Sequence, residues 1–224
     1  SFASKTLNDA LGWDVSIKRV KIGLWNRIII DDVYLNDRND STMLHASRIA
    51  AKLDVLPLLE GKISIANAQL FGTQIKLYQE TEESKPNFQF IIDTFQSNDT
   101  TQSPIDLRIG SLLLRRVDIQ WDQQWKEHNN PESIDFSHLK IKNLSITAHL
   151  RELNSDSLNL SIKKLSFQEK SDFRIKNITF DLKAGEKGGS IENLAILLPH
   201  SHISMSTLYA GWSNMPKNTA LMKR

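Results

Sequence analysis

Cysteine is absent from all 224 residues, which removes disulfides, thiolate metal sites and cysteine nucleophiles together. The compartment stays open, since an oxidising space does not oblige a protein to carry cystines. No stretch approaches the roughly 20 apolar residues of a membrane-spanning helix, and residues 1–12 lack the apolar centre of a signal peptide. Neither sign of charge dominates: 28 basic residues are interspersed with 26 acidic ones, for a net charge of +2. Binding driven by phosphate contacts needs clustered basic residues, so nucleic acid is not an expected partner. GxGxxG, the P-loop pattern, GxSxG and HExxH are missing as well. An enzyme therefore ranks last among the readings, and no cofactor is expected.

What remains is ordinary globular material, 40% apolar and 24% charged, able to bury a core. The length suits one extended domain or two small ones. Its organisation comes from a repeat. The unit is an Ile, two polar or small residues, an apolar residue, one spacer and another apolar residue. Early copies centre on Ile17, Val20 and Ile22; Ile30, Val33 and Leu35; Ile65, Ala68 and Leu70; and Ile109, Leu112 and Leu114. Later copies are Ile141, Leu144 and Ile146; Ile162, Leu165 and Phe167; Ile175, Ile178 and Phe180; and Ile191, Leu194 and Ile196.

Alternation on both sides of the two-residue interruption is a strand signal, because successive side chains of a strand point to opposite faces. Parity changes once per unit. A β-bulge supplies the extra residue, bends the strand and keeps the apolar residues on both sides of the break on one face. The segment from Leu107 to Trp121 shows two breaks, at Gly110-Ser111 and Arg115-Arg116. Late copies follow at short intervals, with a tight turn such as residues 184–189, which predicts an antiparallel meander. Residues 80–104 read as a loop holding a short helix near 88–96, from Phe88, Ile91, Ile92 and Phe95 at i, i+3, i+4 and i+7. A second loop covers 122–137. A short helix near 4–11 is predicted from Leu7, Ala10 and Leu11, stopped by Gly12.

Polar candidates carry little chemistry. His200 and His202 share a strand face, yet surface or turn roles outweigh metal binding, so no metal is expected. Asp31-Asp32 and Glu82-Glu83 read as solvated charge, not as an acid/base pair in a pocket. The tryptophans lack the interleaved basic residues of a stacking platform and read as core or rim packing. Asn-x-Ser/Thr triplets at Asn143 and Asn177 read as grammar of the repeat before glycosylation sites.

One segment is more specific. Residues 53–65, LDVLPLLEGKISI, running on to Leu70, Ile75 and Leu77, resemble the AsmA and TamB families of Gram-negative bacteria, which carry a similar "LLPLLxGKIxI" stretch. VSIKRVKIGLWNRIIIDDVYLND, LSFQEKSDFRIKNITFDL and LPHSHISMS resemble TamB-type proteins of the Bacteroidota. The resemblance covers nearly the whole chain and includes no catalytic motif. It implies a segment in the periplasm, anchored to the inner membrane through an N-terminal helix not in this sequence. It further implies a role in outer-membrane biogenesis and protein secretion, with an Omp85-family barrel (TamA-like) engaged by parts outside this chain. From AsmA-like relatives it implies phospholipid transport along a taco-shaped apolar groove.

The expected fold is therefore mostly β: an elongated antiparallel repeat sheet, a β-taco or open groove. It forms one extended module over 1–224, with strands over 1–79, the loop and helix over 80–104, and repeat strands over 105–224. The expected lining is Ile65, Leu70, Ile75, Leu77, Ile109, Leu112, Leu114, Ile141, Leu144, Ile146, Ile162, Leu165, Phe167, Ile175, Ile178 and Phe180, with phospholipid acyl chains as occupant. Two other readings fit the same alternation: a closed sandwich core that binds nothing, and an open sheet whose edges bind unfolded outer-membrane proteins by β-addition.

Overall fold

Each alternating segment becomes a strand, and the strands join into a single sheet. The computed structural model describes residues 12–24, 26–53, 65–96, 109–128, 133–153 and 157–211. The strands are β1 (Asp14–Gly23), β2 (Arg27–Asn36), β3 (Thr42–Leu53), β4 (Ile65–Gln79), β5 (Ile109–Gln123), β6 (His138–Leu153), β7 (Ser157–Glu169), β8 (Arg174–Ile175), β9 (Asn177–Gly185), β10 (Gly188–Leu197) and β11 (His202–Gly211). They lie in the order β1-β2-β3-β4-β5-β6-β7-β9-β10-β11, with β8 beside β7. The sheet is open, ending at β1 and β11. A closed sandwich needs a second sheet; the described strands form only one.

The meander is antiparallel with one exception. β4 and β5 run parallel, in register from Ile65↔Ile109 to Gln79↔Gln123. Parallel neighbours cannot be joined by a tight turn, and here the connection carries helix α1 (Gln89–Gln96). The helix forms where the spacing predicts it, and Phe88 and Ile91 of the predicted stripe pack against the core, but its buried residue is one the stripe omits. Phe90 is buried with Val15, Ile17, Val33, Leu35, Met43 and Ala46, while Ile92 is exposed. Phe88 precedes the first helical residue, so the predicted stripe began one step outside the helical period. The predicted helix near 4–11 and residues 54–64 of the family-like segment lie outside the described residues. Gly12, at φ 64°, does have the left-handed backbone of a helix-ending glycine.

Left-handed residues mark the breaks of three copies and two further breaks, while the predicted break at Gly110-Ser111 carries none. Asp32, Gly72, Arg116, Asn143 and Asn193 have φ of 52°, 56°, 54°, 52° and 55°. Asp32, Asn143 and Asn193 occupy the second spacer position of a unit, and Gly72 and Arg116 hold the same place in the breaks at Phe71-Gly72 and Arg115-Arg116. The register places three of these breaks side by side, in β2, β4 and β5: Val33 faces Ala46, Ala46 faces Thr73 and Thr73 faces Val117. Val117 also faces Leu144, but in β6 the Asn143 break falls on the far side of that pair, so Arg115-Arg116 stands opposite Ser145 and the register shifts on both sides of Val117. One crease thus runs from β2 to β5, marked by the left-handed Asp32, Gly72 and Arg116. At Gly72 a side chain has no room, since a Cβ would stand 2.9 Å from Ser47 Oγ. Asn tolerates the left-handed region better than most residues, which explains its recurrence in the repeat. Asn143→Val should therefore lose about 1–2 kcal/mol of stability, and Arg116→Gly should gain stability, both read from urea unfolding midpoints. The Ile175 copy differs: its strand is interrupted between β8 and β9, and the Lys176 N–H is bonded to Leu197 O at 2.9 Å.

On either side of the crease two apolar rows differ in burial. Ile17, Val33, Ala46, Thr73, Val117 and Leu144 form a seam in which every residue is buried. Val20, Ile30, Ile49, Leu70, Leu114, Ile146 and Leu165 form the next row, continuous over seven strands. None of these seven is buried, and Val20 is 41% exposed. Thr73 sits in the seam with its Oγ1 buried and unpartnered. A buried hydroxyl without a partner costs about 1–3 kcal/mol, so Thr73→Val, which keeps the shape, should raise the urea midpoint.

Candidate functional site: an open apolar face

Of the expected lining residues, Leu70, Ile75, Leu77, Leu112, Leu114, Ile141, Ile146, Leu165, Phe167, Ile178 and Phe180 are half-buried. The register links them into rows on one face: Ile75 to Ile119 to Ile141, and Ala68 to Leu112 to Ala148 to Ile162 to Phe180. A further row runs Leu150 to Leu160 to Leu182 to Ile191 to Leu208. Leu144, Ile162 and Ile175 are each 7% exposed, so they brace the sheet and do not line an open surface. Ile65 and Ile109 are register partners in β4 and β5; their side chains lie outside the described residues.

Burial along this face is uneven. At the end of β1 to β4 that carries Val15, Leu35, Met43 and Leu77 the helix covers it, with Phe90 edge-on to Trp13 at 6.0 Å and beneath the Arg38 guanidinium at 4.9 Å. Phe88 meets Trp121 at 6.1 Å. Beyond β5 no helix among the described residues lies over the sheet, and exposure rises to 49% at Ile203 and 50% at Leu208. The opposite face carries ion pairs: Arg48 Nε–Asp31 at 2.8 Å, Lys21–Asp31 at 3.3 Å and Lys183–Glu192 at 2.9 Å. The sheet therefore has one greasy and one mainly charged side, a two-sided pattern expected when one face meets apolar material.

The buried polar groups anchor turns. Asp37 Oδ1 accepts the N–H of Asn39 at 2.9 Å and of Ser41 at 3.0 Å. Its Oδ2 accepts Tyr78 Oη–H at 2.9 Å and Asn87 Nδ2–H at 3.2 Å. Glu169 Oε2 accepts the Ser171 N–H at 2.7 Å, closing the turn from β7 to β8. Burial pushes both carboxyls up, and the donated hydrogen bonds outweigh it, chiefly from Asn87 at Asp37 and Ser171 at Glu169, leaving both below the ordinary value. A depressed folded value means that the stabilisation is present above the unfolded carboxylate range and is lost as pH falls through the folded value. Asp37→Asn should accordingly flatten the acid side of a plot of urea midpoint against pH.

One cluster escaped the sequence reading. His128, Asp135 and His138 each offer a ligand atom, all within 4.8 Å of one another. The signal was the Asp-x-x-His spacing at the end of the loop before β6. Both His138 nitrogens are engaged, Nδ1 with Asp122 Oδ1 at 2.6 Å and Nε2 with Lys126 O at 2.9 Å. Asp135 Oδ1 accepts the Ser137 N–H at 3.0 Å, and the His128 ring lies against that of His138, their centroids 3.8 Å apart. A metal here would have to displace the Lys126 carbonyl or Asp122, so the arrangement is a loop anchor. His200 and His202 are both exposed. Asp31 and Asp32 belong to the ion pairs of the outer face, Asp32 with Lys18 at 3.3 Å, and Glu82 and Glu83 are exposed in the loop. No protein-family model matches the chain, and no curated protein matches it in a sequence comparison.

Proposed function

We propose that the open apolar face is a trough for phospholipid acyl chains, in a TamB/AsmA-like periplasmic protein that passes lipid between the inner and outer membranes. The observation that carries this reading is the row from Val20 to Leu165, apolar at every strand it crosses and covered by no second layer among the described strands. Soluble proteins rarely leave a contiguous apolar surface of this kind uncovered unless it binds something. Nine strand-to-strand steps at about 4.8 Å give roughly 43 Å of sheet across the strands. One leaflet's acyl chains span about 15 Å, half the hydrocarbon thickness of a bilayer.

The chemistry asked of such a trough is modest. Acyl chains need apolar contact without directional partners, and the face supplies Leu, Ile and Phe with no charged group in the row. Inner-membrane anchoring, outer-membrane protein assembly and an Omp85-family partner belong to the same proposal through the family resemblance. The test is to purify the protein from a Gram-negative host, extract it with organic solvent and quantify lipid by mass spectrometry. Phospholipid in near-stoichiometric amount is expected; protein free of lipid, and unable to take it from vesicles, would refute the reading.

A further inference from the structure

The two ends of the sheet are not alike. At β1 the edge carries Lys18, Arg19 and Lys21, with Lys18 and Lys21 each 3.3 Å from a β2 carboxylate. Charged side chains, lysine above all, are how natural sheets block edge-to-edge pairing. The β11 sequence HISMSTLYAG has no Lys, Arg, Asp, Glu or Pro, and all ten of its residues are exposed. Among the described residues it pairs only with β10. No described strand pairs with its backbone groups on the far side.

How units pair within the molecule predicts what fits there. In β1 to β4 the two spacers of antiparallel neighbours lie opposite one another and the flanking residues match. Ile17 faces Val33 while Val20 faces Ile30, and Val33 faces Ala46 while Ile30 faces Ile49. On β11 the apolar face holds Ile203, Met205 and Leu208, placed by their partners Ile196, Leu194 and Ile191, with Ser206-Thr207 as spacer. This strand is nearly palindromic about that spacer. A second β11 laid antiparallel sets Met205 against Leu208, Ile203 against Ala210 and Ser204 against Tyr209. The pairs on the apolar face then match, and no like charges meet.

We infer that a second copy of this chain adds through β11, antiparallel and centred on Ser206-Thr207, making one continuous sheet with the apolar faces of both copies on the same side. The inference rests on strand pairing alone and stands whether or not the face binds lipid. Sedimentation velocity of the full chain should show a monomer–dimer equilibrium. Ser206→Lys, which sets two lysines near the two-fold axis, should make the protein monomeric with its circular dichroism spectrum unchanged.

Because the protein has no cysteine, the register can be tested directly. Ser204→Cys and Tyr209→Cys chains should form a disulfide under mild oxidation when mixed, and little when either is alone. Directly opposed residues in an antiparallel pair have Cα atoms about 4.5–5.5 Å apart, within disulfide reach. A monomer at every accessible concentration would overturn the inference, as would a dimer that survives Ser206→Lys. So would disulfides formed equally by single variants, or capture of an unfolded outer-membrane protein strand by the Ser204→Cys chain in place of a second copy.

Discussion

Glutamate at both Leu114 and Ile146 is expected to strip the protein of bound phospholipid while leaving it folded. The two residues face each other across β5 and β6 in the middle of the open row, and both are half-buried. An acyl chain lying on the row loses two aliphatic contacts and meets two carboxylates that prefer water. A fully buried aliphatic side chain contributes about 1.5–3 kcal/mol. Losing even one corresponds to roughly 10- to 100-fold in affinity. Because the same carboxylates can reach solvent in the lipid-free protein, the thermal midpoint should fall by only a few degrees, the shift that about 1 kcal/mol produces in a chain of this size. Extracted lipid at wild-type amounts in a folded double variant would remove this row from the binding surface.

Three residues from Leu114 the same kind of change should have a different outcome. Val117 is 1% exposed, between Thr73 and Leu144 in the seam. Val117→Asp buries a carboxylate in an apolar setting, a mechanism that accounts for the largest single-site losses, above about 4 kcal/mol. Unfolding should come at a much lower urea midpoint, or the chain should fail to accumulate. The contrast between Leu114 and Val117 is the informative quantity. Both are apolar positions of one strand, separated by the left-handed Arg116. If the two substitutions destabilise equally, the division into a buried seam and an open row is wrong.

The repeat was legible because its apolar slots are filled by large residues that change parity at a fixed place. Where small or polar residues fill those slots, it disappears. β3 is a further unit, with Ala46, then Ser47 and Arg48, then Ile49 and Ala51, but alanine weighs little in a hydrophobic pattern, and no copy of the repeat is legible there although strands are expected over 1–79. The break at Phe71-Gly72 was hidden in the same way, since Thr73 occupies the apolar position after it. The parallel pairing of β4 and β5 could not be read, because a long connection fits either strand direction. Burial was the least legible property. Leu144 and Leu165 occupy matching kinds of position in the pattern, yet one lies in the seam and the other in the open row, a difference set by which side of the crease each falls on.

Crosslinking from neighbouring positions on opposite faces tests the central claim most directly. Ile146 and Thr147 are adjacent in β6 and both half-buried. Ile146 lies in the apolar row between Leu114 and Leu165, whereas Thr147 is in register with Leu113 and Lys164 on the other side. A benzophenone side chain placed at each in turn, irradiated in a Gram-negative host, should yield a phospholipid adduct by mass spectrometry at 146 and none at 147. Equal adducts at both positions, or none at 146, would contradict a lipid trough on this face.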